Sequence, residues 1–375
     1  MRLGLLPGTL SPSGGPGTYV TGLVEGLLEQ PGVQVQALLL GLRHFTEQGR
    51  RQRRQVSALL GDDLQVRTRA VSGRLYGTAL RPLLPSYDLL FRRHDIYHQT
   101  HLDLDPAVPG GRLVLTLHDL VAERWPDEGR LLPNAERLLS RAAAVVTVSE
   151  ASRCSILKRF SSLDPDRIHV IWNGLAHEVF HPRGLDDDGR RLDLASVTAP
   201  YLLYVGGLSR RKNVSTLIAA HAAARHKDPT TPVLVLVGPW QPADLGDQRV
   251  EGVMALGAVE KATVAALMRR ALAVVLPSRD EGFGLPVLEA QACGTAVICS
   301  DIPAFQEVGG PAPHYVDTRS VDTLTAGLLR VLRTAGEEGD GRRQAGVAHA
   351  TTFSWQRSAA QHRAVYEAVH KAATR

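Results

Sequence analysis

Cysteine is nearly absent: Cys154, Cys293 and Cys299 are the three thiols in 375 residues, and none stands in C-x-x-C spacing or beside a histidine. So few thiols neither staple a chain of this length nor build a structural zinc site. Long apolar runs are missing too, and no stretch approaches the roughly eighteen consecutive residues of a membrane-spanning helix. The opening MRLGLLPGTL lacks the charged, apolar and small-residue sections of a signal peptide, so the expected location is the cytoplasm. Aromatic residues make up 5% and none stands within the arginine run 50–54, which argues against nucleic acid as a partner. Lysine is scarce as well, since 38 of the 43 basic residues are arginine.

What remains is 44% hydrophobic and 22% charged, the balance of a folded, globular protein long enough for two domains. The net charge of +5 is local, because eleven arginines face four acids between Arg43 and Arg93. That segment, with Arg50-Arg51-Gln52-Arg53-Arg54 at its heart, reads as a solvated basic face, as a peripheral contact with anionic lipid at the inner membrane face, or as a contact with a phosphorylated ligand. Asp103-Leu104-Asp105 matches a D-x-D metal pattern, but its place after His101-Leu102 and before Pro106 reads as a loop, and no metal site is expected.

The first apolar run, Arg2–Leu6, ends at Pro7-Gly8, and after a Gly-rich loop Tyr19–Leu28 has helical spacing. Short apolar runs at 33–40, 95–99, 113–117, 145–148 and 169–172 alternate with helical stretches, and the polar run from Arg183 to Arg191 marks a domain boundary. The alternation restarts with strands at 201–205, 233–237, 274–276 and 296–299 and helices from about Ser215, Val264, Pro286 and Val321. The expected fold is α/β, two doubly wound parallel-sheet domains over residues 1–182 and 183–354, with ligands at the carboxyl ends of the strands in a cleft.

The richest chemistry follows the strand 274–276. Gly282 and Gly284 let the backbone approach a ligand, Pro286 suits a first helical position, and the leading amides near Leu285 form an anion site. Glu281 and Glu289 border that site and would repel a bare diphosphate; they suit hydroxyls flanking one, from a sugar and a ribose. Upstream, Arg211 and Lys212 follow a strand and the Gly206-Gly207 turn, two fixed cations where a leaving diphosphate needs them. The amides of Gly14-Gly15-Pro16-Gly17 also suit phosphates, although Gly15–Val20 reads G-x-G-x-x-V and lacks the third glycine of a dinucleotide fingerprint. His118 ends the strand 113–117 where ligands gather, and Asp119 either caps the next helix or supports His118.

The E-x7-E spacing of Glu281 and Glu289 resembles that of glycosyltransferase family 4, retaining enzymes of GT-B fold. Gly14–Tyr19, Thr116–Leu120, Val148-Ser149-Glu150, Asn173-Gly174, Tyr204–Gly207 with Arg211-Lys212-Asn213, and Ser300–Pro303 through Glu307 resemble family words in family order over nearly the whole chain. The resemblance implies two Rossmann-like domains, an amino-terminal one for the acceptor and a carboxyl-terminal one for a nucleotide-sugar donor, with a last helix, about 355–375, packed back on the first. It implies that Arg211 and Lys212 bind the diphosphate in place of a metal ion. Glu289 would then hold the ribose, and Glu281 with the Phe283, Gly284 and Leu285 backbone would hold the sugar. It also brings Gly15, Gly17 and Gly206 near the donor phosphates, Val259 near the base, and His118 to the transferred sugar.

The runs 95–101 and 115–120 look most like the bacterial mannosyltransferase branch, so the expected donor is GDP-mannose, with UDP-sugars as the alternative. The expected acceptor is a saccharide or lipid-linked saccharide, and no separate cofactor is expected. A catalytically inactive nucleotide-sugar-binding module and an NAD-dependent oxidoreductase are the rivals.

Overall fold

The computed structural model describes residues 1–7, 15–40, 65–69, 86–102, 108–128, 134–184, 187–198, 200–241, 251–333 and 337–375. Gly14, most of the Arg43–Arg93 segment and the D-x-D run at 103–105 therefore lie outside the described residues. The chain forms two compact units, Met1–Gly174 with Trp355–Arg375, and Leu175–Ser354.

The first unit is built on β1 (Arg2–Leu6), β2 (Gln34–Leu40), β3 (Gln65–Arg69), β4 (Ile96–Gln99), β5 (Leu113–Thr116), β6 (Ala144–Thr147) and β7 (Ile168–Val170). All pair in parallel, in the order β3-β2-β1-β4-β5-β6-β7. Strand parity sends alternate side chains to opposite faces. Leu3, Leu5 and Val114 join one core with Tyr19, Leu23, Trp355 and Tyr366, while Leu6, Leu113 and Leu115 join the other with Phe91, Leu138 and Ile156.

The second unit repeats the plan with β8 (Tyr201–Val205), β9 (Val233–Val237), β10 (Val253–Gly257), β11 (Ala273–Leu276), β12 (Ala296–Ser300) and β13 (His314–Val316). Its order is β10-β9-β8-β11-β12-β13, again parallel. Each sheet therefore has a point where successive connections leave in opposite directions, between β1 and β4 and between β8 and β11. Ligands of doubly wound sheets gather there.

Two sequence expectations need correction. The division falls at Gly174, not at 182, because residues 175–182 are fastened to the second unit. Leu175 forms a bridge with Ser354, His177 Nε2 donates to Phe353 O at 2.8 Å, Arg269 Nη1 donates to Val179 O at 3.2 Å, and the Lys261 ammonium lies 5.5 Å from the Phe180 ring. The polar run 183–191, expected to mark the boundary, instead leads into the helix Asp188–Leu194, whose Asp188 is a buried ion-pair partner of Arg269 at 2.6 Å. The first helix also begins earlier than its apolar spacing suggests, at Gly15, and runs to Leu28. Pro16 fits a first helical turn, where a missing N–H costs nothing.

Candidate functional site

In the second unit, the loop after β8 is held before any charge is considered. Gly206 N donates to Val237 O at 2.9 Å, Trp240 Nε1 donates to Gly206 O at 2.9 Å, and a Cβ at Gly206 would stand 2.6 Å from the Tyr204 hydroxyl. The chain then makes a single 3-10 turn, Arg210–Lys212, closed by Asn213 in the left-handed conformation at φ 59°. Asn213 ties three loops together: its Nδ2 donates to Pro277 O at 3.2 Å and Thr318 O at 2.9 Å, while its Oδ1 accepts from Arg279 Nε at 3.1 Å. Arg279 N donates to Arg211 O at 2.8 Å. The loops after β8 and β11 are thus one rigid piece at the switch point.

On this piece Arg211 Nη1 donates to Glu281 Oε2 at 2.7 Å and to Asp280 O at 2.7 Å, and Lys212 Nζ donates to Glu281 Oε1 at 2.6 Å. All three side chains are largely buried, with 11%, 19% and 12% of their surface exposed for Arg211, Lys212 and Glu281. Burial alone would raise the Glu281 carboxyl, but Lys212, Arg211 and a hydrogen bond from Ser278 outweigh it and hold the group at about 2. Glu281 is a carboxylate at every working pH.

Gly284 caps the following helix, Leu285–Ala292, at φ 112°, and a Cβ there would lie 2.8 Å from the Phe305 ring. Only glycine meets both demands. The leading amides are fewer than the sequence suggests, since Pro286 has none and Val287 N donates to Gly284 O at 2.9 Å. Phe283 is buried edge-on against Phe353, centroids 6.2 Å apart. Leu285 is likewise buried. Glu289, half-buried in the same helix, has its carboxyl pushed up to about 7 by burial, against the pull of Lys261. Val259 lies in the loop after β10, beside Gly257, whose carbonyl accepts from Gly238 N at 2.9 Å.

In the first unit Gly15 and Gly17 occupy the opening turn of the first helix rather than a loop before it; Gly15 is exposed and Gly17 buried. His118 follows β5 and is half-buried. Its Nε2 lies 3.1 Å from Thr100 O. A carbonyl only accepts, so Nε2 carries the hydrogen and Nδ1 is left as an acceptor. Burial and His101, whose ring centroid is 5.4 Å away, push His118 down to about 3 against the Thr100 bond. It works as a neutral imidazole. Asp119 Oδ1 accepts from Val121 N, the first amide of the short helix Val121–Arg124, at 3.0 Å.

Behind His118 stands a buried polar chain that sequence reasoning missed. The Tyr19 ring meets His118 edge-on at 4.7 Å, and its hydroxyl lies 2.8 Å from His362 Nε2 and 2.9 Å from Thr116 Oγ1. Thr116 Oγ1 lies 2.8 Å from His98 Nε2, and Tyr366 Oη 2.8 Å from His98 Nδ1. One bond orients all of it. His362 Nδ1, 2.8 Å from Ser358 O, must donate, so its Nε2 accepts from Tyr19. Tyr19 then accepts from Thr116, Thr116 from His98, and His98 from Tyr366, so every member is satisfied.

Comparison with known proteins agrees with this architecture. The profile described as "Glycosyltransferase Family 4" matches residues 13–179, and "Glycosyl transferases group 1" matches 199–334. The O-antigen chain mannosyltransferase B of Escherichia coli is 30% identical over 300 residues, 75% of this chain and 76% of that one. Among solved structures, sucrose-phosphate synthase from Thermosynechococcus elongatus superposes with TM-score 0.73 at 20% identity over 99% of both chains. Anabaena HepE in complex with UDP and glucose gives 0.70 at 17% over 98% of this chain and 99% of its own. Two parallel doubly wound sheets with these likenesses define a GT-B glycosyltransferase. The chain belongs to glycosyltransferase family 4 and is an enzyme of hexosyltransferase type.

Proposed function

We propose that the protein transfers a hexose, with retention at the anomeric carbon, from a nucleoside diphosphate sugar bound to the second unit to a hydroxyl of an acceptor bound to the first. The observation that carries this is the rigid cluster of Arg211, Lys212 and Glu281 at the β8/β11 switch point, directly before the helix of Glu289. In the proposed reaction Glu289 holds the ribose diol and Glu281 accepts from hydroxyls of the sugar. Arg211 and Lys212 stabilise charge growing on the leaving diphosphate in place of a metal ion. Among the described residues no group of three His, Cys, Asp or Glu side chains is placed to hold a metal. His118, neutral and with Nδ1 as acceptor, is proposed to take a hydrogen bond from a hydroxyl of the transferred sugar. The incoming hydroxyl attacks the face from which the diphosphate departs, and that diphosphate accepts its proton.

GDP-mannose is the proposed donor, supported by the likeness to a mannosyltransferase. A UDP-sugar is the second reading, favoured by the UDP and glucose in the HepE complex. The acceptor is proposed to be a saccharide or lipid-linked saccharide at the cytoplasmic membrane face, reached through the basic segment 43–93. No helix among the described residues is long and apolar enough to cross a membrane.

A thermal-shift panel of GDP, UDP, ADP, dTDP and NAD tests the donor, because selective binding raises the melting temperature by mass action. GDP is expected to stabilise most. Stabilisation by UDP alone moves the donor to the second reading, and silence from every diphosphate removes the nucleotide-sugar assignment. Glu281→Ala is expected to abolish transfer with the fold intact; near-normal turnover in that variant would remove Glu281 from the reaction.

A further inference from the structure

The two cations assigned to the diphosphate already have an anion. Each grips a different oxygen of the Glu281 carboxylate, at 2.7 Å and 2.6 Å, and Arg211 Nη1 spends its two hydrogens on Glu281 and on the Asp280 carbonyl. Two cations and one carboxylate present a single net positive charge to a ligand that carries two or three negative ones. The arrangement is also stiff, because Arg279 N and Asn213 lock the loop that carries the cations to the loop that carries Glu281. A diphosphate therefore has to share its donors with a carboxylate that cannot swing far away.

We propose that Glu281 is an internal counter-ion that competes with the nucleoside diphosphate for Arg211 and Lys212, and that this competition expels the nucleoside diphosphate once the sugar has been transferred. The inference rests on the donor-site reading above and adds to it the direction in which Glu281 acts on the product. While the whole donor is bound, sugar hydroxyls donate to Glu281 and compensate the loss of its share of the cations. After transfer those hydroxyls leave with the acceptor, and a buried carboxylate is left beside a buried diphosphate. Departure of the diphosphate returns both cations to Glu281. No bond is made or broken in this step; one anion replaces another on the same N–H groups.

Isothermal titration of GDP and UDP into the full chain and its variants tests this. For whichever nucleotide the native protein binds, Glu281→Gln is expected to bind roughly tenfold more tightly, since the shape is kept and the charge removed. Glu281→Asp, one methylene shorter and so farther from the cations, should fall between the two. Product inhibition of transfer by the Asp variant should tighten in the same order. Native or weaker affinity in Glu281→Gln would overturn the proposal, and if that variant does not fold, native or weaker affinity in Glu281→Asp does so instead. Lys212→Ala separates this failure from failure of the site itself. If Lys212→Ala binds the nucleotide as well as the native chain, the donor-site reading falls; if it loses affinity while the Glu281 variants gain none, only the counter-ion role falls.

Discussion

Two glutamates eight positions apart are pushed to opposite ends of the carboxyl range. Burial acts on both, but Glu281 has a cation at each oxygen and stays near 2, whereas Lys261 is too weak a neighbour to keep Glu289 below about 7. Because the folded value of Glu289 lies above its ordinary one, its proton is held in the folded protein between the two values. A ribose diol donates two hydrogen bonds, and the ionised carboxylate accepts both better than the acid does. Nucleotide affinity is therefore expected to rise as pH climbs through about 7 in the native protein and to lose that rise in Glu289→Gln, read by titration calorimetry at pH 6 and pH 8. His118 shows how far one bond can decide chemistry, since the Thr100 carbonyl alone fixes which ring nitrogen faces away. The tautomer was not legible in the sequence, because it depends on a carbonyl eighteen positions earlier that β4 and β5 bring together.

Elements follow the same division between what periodicity states and what packing adds. The apolar runs of β1, β8 and β9 match the observed strands to the residue, since each is bounded by turn residues and buried along its length. β3, QVRTR, is not legible because it is a half-exposed edge strand with Val66 as its one apolar residue, and β13 has only three residues. The start of the first helix escaped because glycine and proline read as a loop until a partner helix explains them. Gly22 and Gly26 face the carboxyl-terminal helix Trp355–Ala373; a Cβ at Gly22 would run into the Trp355 indole, and one at Gly26 would stand 2.5 Å from Trp355 O and 2.9 Å from the Ala359 Cβ. Gly22→Ala should gain up to about 1 kcal/mol in helix propensity and lose about 1–3 kcal/mol or more to overpacking, a net loss in urea unfolding. Gly15→Ala, whose added Cβ would meet nothing within 4 Å, should show no loss.

At the scale of the molecule, the two units answer acid differently. In the first unit, burial pushes His101 and His362 down to about 4 and His118 to about 3, and His98 falls well below its ordinary value. A histidine depressed in the folded state costs stability as pH falls from its ordinary value of 6.5 toward the folded one, because the unfolded chain takes the proton first. At pH 5 the fully buried His362 should cost about 1–2 kcal/mol, and His98, shifted the same way by burial, adds to that loss. The second unit has His221 shifted the same way, but Glu289 gains stability over that window. Calorimetry at pH 7 and pH 5 is expected to show the first unit's transition falling well below the second's, with the latter identified as the one that a bound nucleotide raises. Equal shifts of both would contradict the buried neutral cluster.

The carboxyl-terminal helix also sets an order of assembly. It contributes Trp355, Ala359, Tyr366 and Val369 to the core of the unit that begins with Met1, and His362 to the chain that orients Tyr19. On a ribosome adding roughly 5–20 residues per second, all of Leu175–Ser354 emerges between the two halves of that core. The unit whose synthesis starts first is thus the last to be completed. Until then the sheet of that unit lacks the helix that covers one of its apolar faces, so half of that core stays unfinished while residues 175–354 are made.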